Sequence, residues 1–244
     1  MPSYWVHVNK VLREAEIIIE VLDARMINET RNKEIEDKIR KSGKKILYVL
    51  TKCDLVNIEE LKFKIKDLQP SVFISSIERL GTTILKKKIL ELSKGESVVV
   101  GVVGYPNVGK SSLINALSGR AATRTSSESG FTKGMQKVRI GPKIVVLDTP
   151  GVFPKMEKNL AKHGKIGAID YSKIKDPEIA TLQLIEEEKE MIAHHYQIEA
   201  KDDPEEMLQE IAIKLKRLQK GGIPDLEATA RWILKEWQTG KMRQ

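Results

Sequence analysis

Eight consecutive residues carry the most specific chemistry in this sequence: Gly104-Tyr105-Pro106-Asn107-Val108-Gly109-Lys110-Ser111. Glycines at this spacing let backbone amides curl round phosphate oxygens, and a helix that follows adds the positive end of its dipole. In such a loop the lysine bridges the terminal phosphates and the serine hydroxyl ligates Mg²⁺. Asn107, Val108 and Gly109 supply the loop, Lys110 and Ser111 the charged and hydroxyl groups, and Ser112 continues into the helix. Further on, Asp148-Thr149-Pro150-Gly151 ends another apolar run. A carboxylate there can hold the Mg²⁺ shell through water, and the Gly151 amide can sense a terminal phosphate. Between these motifs a polar segment, 121–134, carries Thr132, whose hydroxyl and carbonyl would complete the metal shell only with a triphosphate present. Lys110, Thr132 and Gly151 are the expected catalytic residues at this end, and Ser111, Thr132 and Asp148 the expected Mg²⁺ ligands.

These motifs need strands to carry them. Apolar, β-branched runs at Ile17–Leu22, Ile46–Leu50, Val72–Ile74, Val98–Val103 and Ile144–Leu147 read as strands, with amphipathic helical patterns between several of them. Nearly continuous apolar strands suit a mostly parallel sheet with helices on both faces, an α/β architecture in which ligands bind beyond the carboxyl ends of the strands. After about residue 172 the strand signal stops. Helices are expected over Ile179–Gln197, Pro204–Gln219 and Leu226–Gln238, the last capped by Asp225 after the turn Gly221-Gly222-Ile223-Pro224. The expected domains are therefore an α/β domain over 1–168 and a small all-α domain over 169–244.

The strand at 46–50 leads into Thr51-Lys52-Cys53-Asp54, which resembles the guanine-specificity motif of GTPases. A carboxylate at Asp54 can accept both N1–H and the exocyclic amine of guanine, a donor pair adenine lacks, while the Lys52 stem packs over the ring. Thr51 stands where that motif usually has Asn, so weaker hydrogen bonding between loops is expected there. Ser75-Ser76-Ile77, after the next strand, resembles the segment whose backbone amide contacts guanine O6.

In ordinary small GTPases the phosphate loop precedes these base motifs; here residues 51–77 come before residues 104–151. With Asp23-Ala24-Arg25, Arg31-Asn32 and Lys173-Ile174-Lys175-Asp176-Pro177-Glu178, this order makes nearly the whole chain similar to the circularly permuted GTPases of the YlqF/YawG type. The resemblance implies GTP and GDP as ligands, Mg²⁺ as cofactor, slow hydrolysis raised by a partner, and a role in assembling the large ribosomal subunit. After Gly151 the chain carries Val152 and Phe153 where many GTPases place a water-orienting Gln. Asn107 resembles the loop residue that binds K⁺ in potassium-stimulated GTPases. His7 resembles an N-terminal histidine proposed as catalytic in bacterial members, with a helix-start or packing role as the alternative. Permutation also makes the chain after Gly151 a direct link to the helical domain, through which nucleotide state can be transmitted.

Composition bounds the remaining choices. The 244 residues carry a net charge of +8, concentrated in 119–165, where ten basic side chains face three acidic ones. No run approaches the ~20 apolar residues of a membrane span, the start lacks a secretory signal, and Cys53 is the lone cysteine, so a cytoplasmic protein without disulfides is expected. The expected partners are the large ribosomal subunit or its precursor and its rRNA, with no DNA, no membrane, and a monomeric state. The alternative is a GTPase switch for a protein or membrane partner that makes no RNA contact. His163, His194 and His195 show no zinc-type arrangement. Packing is the expected role of Trp232 and Trp237, with Lys235, Lys241 and Arg243 nearby to meet rRNA phosphates.

Overall fold

A computed structural model describes residues 3–119, 136–149, 151, 163–164 and 166–242, the side chains of residues 3–5 and 7 excepted. The chain divides into two compact units, 1–157 and 158–244.

Among the described residues of the first unit six strands make one sheet: β1 (Ile17–Asp23), β2 (Lys45–Thr51), β3 (Ser71–Phe73), β4 (Val98–Val103), β5 (Gln136–Ile140) and β6 (Ile144–Asp148). Their order is β3-β2-β1-β4-β6-β5, with every neighbour parallel except the β5–β6 pair. The α/β reading and its parallel strands hold. Sequence reasoning missed β5, whose Gln136, Lys137 and Arg139 are exposed while Val138 and Ile140 are buried. Such a half-solvated edge strand has too short an apolar signal to stand out beside the fully buried β1 and β4.

Among the described residues, the helices of this unit are α1 (Ser3–Glu14), α2 (Ile27–Thr30), α3 (Lys33–Lys41), α4 (Ile58–Lys64), α5 (Thr82–Leu92) and α6 (Lys110–Ser118). Val8, Val11 and Leu12 of α1 and Ile35 and Ile39 of α3 share one core with Ile18, Val103 and Leu147 of the sheet. Glycine at 101 permits this, because a β-carbon there would lie 2.2 Å from Val11 Cγ1. From β3 the chain returns through α5 to place β4 on the other side of β1. The strand order therefore reverses between β1 and β4, the position where an open parallel sheet leaves a crevice outside its carboxyl ends.

The second unit contains α7 (Pro177–Glu187), α8 (Lys189–Tyr196), α9 (Pro204–Lys214) and α10 (Leu226–Gln238). The single helix expected over 179–197 is two, divided at Glu188. Glu186-Glu187-Glu188 puts like charges together at a helix C-terminus, where the helix dipole disfavours anions. The next helix stops at Lys214, short of the expected 219, because Leu218 pairs with Pro224 across the Gly221-Gly222 turn. Asp225 caps α10 as anticipated, accepting from the Ala228 amide at 3.0 Å. Gln238 on α10 donates to the carbonyls of Gly164 and Ile169 at 2.9 and 3.1 Å, fastening that segment to the helix. Trp237 is in the core, whereas Trp232 is only partly buried. No helix among the described residues is long and apolar enough to cross a membrane.

Candidate nucleotide site

The parallel strands deliver four motif ends to one edge of the sheet. Asp23 ends β1, Thr51 ends β2 and pairs with Asp23, Val103 ends β4, and Asp148 ends β6 in register with Val102. The segments expected to bind phosphate and base, far apart in sequence, are thus brought together.

At the phosphate end, β4 runs into a loop shaped by backbone that ordinary residues resist. Gly104 has φ +146°, and a β-carbon on it would meet the Val21 carbonyl oxygen at 2.6 Å. Asn107 and Gly109 also have positive φ, 59° and 99°, and α6 begins directly at Lys110. Lys110 is buried, its ammonium folded onto the carbonyls of Gly104, at 3.1 Å, and Tyr105. Burial pushes its pKa down to about 8, against the pull of Asp148. An anion in the loop would replace those neutral acceptors with a charge, which is what a desolvated ammonium lacks. Ser112 lies partly buried in the first turn of the same helix.

Ser111 Oγ donates to Asp148 Oδ2 at 3.4 Å, and the other carboxylate oxygen, Oδ1, is buried with no hydrogen-bond partner among the described residues. Burial raises the Asp148 pKa, with Lys110 and Ser111 opposing. An orphaned oxygen on a buried carboxylate beside a serine hydroxyl is a hard-oxygen donor set, and these residues fit Mg²⁺. Thr149 Oγ1 anchors the strand end to the Val102 carbonyl at 2.7 Å. Gly151 lies against the phosphate loop so closely that a β-carbon there would be 2.5 Å from Pro106 Cα. Thr132 and the His7 side chain fall outside the described residues. Among the described residues no three metal-ligating side chains of His, Cys, Asp or Glu cluster.

The base end depends on side chains from several segments. Lys52 has φ 57°, and the turn Cys53–Leu55 follows it, leaving Asp54 partly exposed. The Cys53 amide donates to the Ile74 carbonyl at 3.3 Å, so the 51–54 loop sits beside Ser75 and Ser76. Ser75 exchanges backbone bonds with Leu80 and caps its own turn, accepting from the Glu78 amide at 3.1 Å, while Ile77 projects into solvent. Thr51 does tie the loops. Its Oγ1 lies 2.6 Å from the Val108 carbonyl and 2.9 Å from that of Leu22, so one hydroxyl joins the base strand to the phosphate loop and β1.

The Lys52 ammonium is held by a residue that sequence reasoning placed in no role. Asp23, wholly buried, accepts from Lys52 Nζ at 2.7 Å and from Arg25 Nε and Nη2 at 3.0 and 2.8 Å. Its burial works to raise the carboxyl pKa, but Lys52 and Arg25 overcome this and hold it well below the usual range. The signal available in sequence was an aspartate ending an otherwise apolar strand with an arginine two residues on.

Known proteins resemble this chain in sequence and in fold. Residues 99–219 match the 50S ribosome-binding GTPase family. A GTP-binding protein of Methanocaldococcus jannaschii is 41% identical over 96% of this chain and 65% of its own length. A nuclear GTP-binding protein of Saccharomyces cerevisiae is 31% identical over 95% of this chain and 54% of its own. The chain thus spans about half to two thirds of the length of these relatives. YlqF of Thermotoga maritima, solved with GDP, superposes with a TM-score of 0.70 at 27% identity, over 97% of this chain and 96% of that one. YlqF bound to GNP gives 0.69 at 26% identity, covering 97% and 94%. The base motifs preceding the phosphate loop, the sheet order that nevertheless assembles them at one edge, and these likenesses agree: the chain shares the motif order and the fold of the circularly permuted GTPases of the YlqF/YawG type.

Proposed function

We propose that this chain binds GTP, hydrolyses it to GDP and phosphate, and uses the change as a switch in assembly of the large ribosomal subunit. The observation that carries the proposal is the meeting of Lys110, Ser111, Asp148 and Gly151 with Thr51, Lys52 and Asp54 at one sheet edge, at the reversal of strand order. In this reading Asp54 accepts from guanine N1–H and the exocyclic amine, and backbone at Ser75, Ser76 and Ile77 meets O6. Amides from Asn107 to Ser112 cradle the phosphates, and Lys110 turns from the loop carbonyls to the β- and γ-phosphates. Ser111 and Asp148 would hold Mg²⁺, joined by Thr132 when triphosphate is present, and the ion would supply positive charge to offset that of the phosphates. Gly151 reports the γ-phosphate through its amide.

With Val152 after Gly151, water must be oriented by other groups. K⁺ held by Asn107, or His7 brought in by a partner, are the two sources we assign. Slow turnover without the partner follows from that need.

The ribosomal part rests on the family match and on charge. In the 158–244 unit the Arg217 guanidinium lies 4.4 Å from the Trp232 ring centroid, and Lys235 and Lys241 at 5.5 and 5.7 Å. Cations gathered on a partly exposed indole suit rRNA phosphates with a stacked base. The exposed Ile77, Leu80 and Ile84, by contrast, favour a second reading, a protein partner without RNA contact. A buried free Cys53 accords with the cytoplasm as compartment.

GTP turnover measured with and without purified large subunits, in KCl and in NaCl at matched ionic strength, separates these readings. Stimulation by large subunits is expected, with K⁺ dependence lost in Asn107→Ala. Tight GTP binding with no response to any ribosomal particle would overturn the ribosomal reading and leave the protein-partner one.

A further inference from the structure

We propose that Asp23, locked by Arg25, is a positioning residue for nucleobase recognition, fixing the Lys52 side chain and the backbone that presents Asp54. The inference rests on the guanine-binding reading of the 51–54 loop.

Asp23 ends β1 directly opposite Thr51, and the Ala24 amide donates to the Thr51 carbonyl at 2.9 Å, so the two strand ends are zipped together at the start of the base loop. The Asp23 amide in turn donates to Thr30 Oγ1 at 3.1 Å, and that hydroxyl donates to the Met26 carbonyl at 2.7 Å, which fixes the turn behind the carboxylate. Both carboxylate oxygens are engaged. Oδ1 accepts from the Arg25 amide and Nε at 3.1 and 3.0 Å, and Oδ2 from Arg25 Nη2 and Lys52 Nζ at 2.8 and 2.7 Å. A bidentate guanidinium leaves a carboxylate little freedom to rotate. The one remaining direction is taken by Lys52.

An exposed lysine would sample many rotamers, and each one frozen on ligand binding costs entropy. Here the Lys52 ammonium is fixed at its far end while its backbone holds φ 57°, a left-handed conformation that side chains with a β-carbon seldom adopt. Both ends of the stem are thus set before any base arrives, and the turn Cys53–Leu55 that carries Asp54 starts from that residue. A salt bridge serving only stability would need no partner at the hinge of the base loop. Its placement there is what assigns it to recognition.

The direct test is a double-mutant cycle read by fluorescent GDP titration, with urea unfolding of the nucleotide-free protein alongside. Asp23→Asn, isosteric and uncharged, is expected to weaken GDP and IDP alike by about tenfold, since the stem meets the ring face rather than the 2-amine. In a Lys52→Met background, which keeps the stem and removes its charge, the same change is expected to add nothing. Arg25→Lys, with the charge kept and the bidentate grip lost, is expected to weaken GDP several-fold and serves as the test if Asp23→Asn does not fold. Equal losses from Asp23→Asn with and without Lys52→Met, or wild-type GDP affinity in Asp23→Asn or in Arg25→Lys, would overturn the proposal. Asp54→Ala in parallel separates the two levels. If that variant keeps GDP affinity, the guanine reading itself fails; if it loses GDP while the Asp23 and Arg25 variants do not, only the positioning role fails.

Discussion

The two ends of the nucleotide site are built differently. At the phosphate end the chain itself does the shaping: Gly104, Asn107 and Gly109 at positive φ, α6 starting at Lys110, and Gly151 pressed on Pro106. At the base end the backbone is positioned by side chains from elsewhere, with Thr51 reaching the Val108 carbonyl and Asp23 reaching Lys52 across 29 positions of sequence. The first end is shaped by backbone and has no room for a β-carbon at Gly104 or Gly151. The second is distributed, and its parts are expected to fail by degrees.

The largest effect should come from the phosphate end. Lys110→Ala is expected to lower GTP turnover by roughly 10²- to 10³-fold, the scale of losing one preorganised charge donor. Gly151→Ala, whose methyl cannot coexist with Pro106 unless the loop moves, should cost about 10²-fold in turnover while GDP affinity changes much less, as single-turnover assays and GDP titration can show. Comparable losses of both would mean that Gly151 shapes the whole loop rather than its γ-phosphate side. At the base end Thr51→Val keeps the shape and removes the hydroxyl, leaving the buried Val108 carbonyl short of a partner. A loss of about 1–3 kcal/mol in urea unfolding is expected, with a smaller fall in GDP affinity.

This contrast also explains what could be read in advance. The phosphate loop, Asp148, Gly151 and the base loop were legible because each is a short motif whose spacing encodes its geometry. The parallel strands were legible because burial on both faces gives unbroken apolar runs such as Val98–Val103. Strand β5 was hidden, since only Val138 and Ile140 are buried in it. The break at Glu188 depends on three consecutive charges rather than on apolar period, and the helix that ends at Lys214 yields to a pairing between Leu218 and Pro224. The bonds of Thr51 to Val108 and Leu22 and of Asp23 to Lys52 were hidden for a different reason: they are set by strand order, which no local pattern states.

Buried Glu20 on β1 offers a smaller test of the same frame. Its Oε1 accepts from the Asn32 amide at 2.8 Å, Oε2 has no partner among the described residues, and burial pushes its pKa from 4.5 to about 8. The folded protein therefore holds a proton the unfolded chain releases. Its contribution to stability is complete below about pH 4.5 and is lost as the pH rises toward and through 8. Glu20→Gln should flatten that decline, seen as a smaller drop in urea midpoint between pH 6 and pH 9, with nucleotide affinity unaltered. The smallest effect is reserved for the chain after Gly151: amide exchange in residues 172–244 should differ between GDP and a GTP analogue if nucleotide state is transmitted along it.

In the proposed reading, segments in reversed order form one guanine-reading, phosphate-holding site. Replacing Asp54 by Asn tests it most directly, because an amide there can accept from N1–H of xanthine and donate to its 2-carbonyl, whereas it meets the guanine amine donor to donor. Turnover of GTP and XTP by Asp54→Asn should show preference passing from GTP to XTP, with XTP hydrolysed at a rate near that of GTP by the parent chain. A variant that still prefers GTP would contradict the account, since the base would then be read somewhere other than the 51–54 loop.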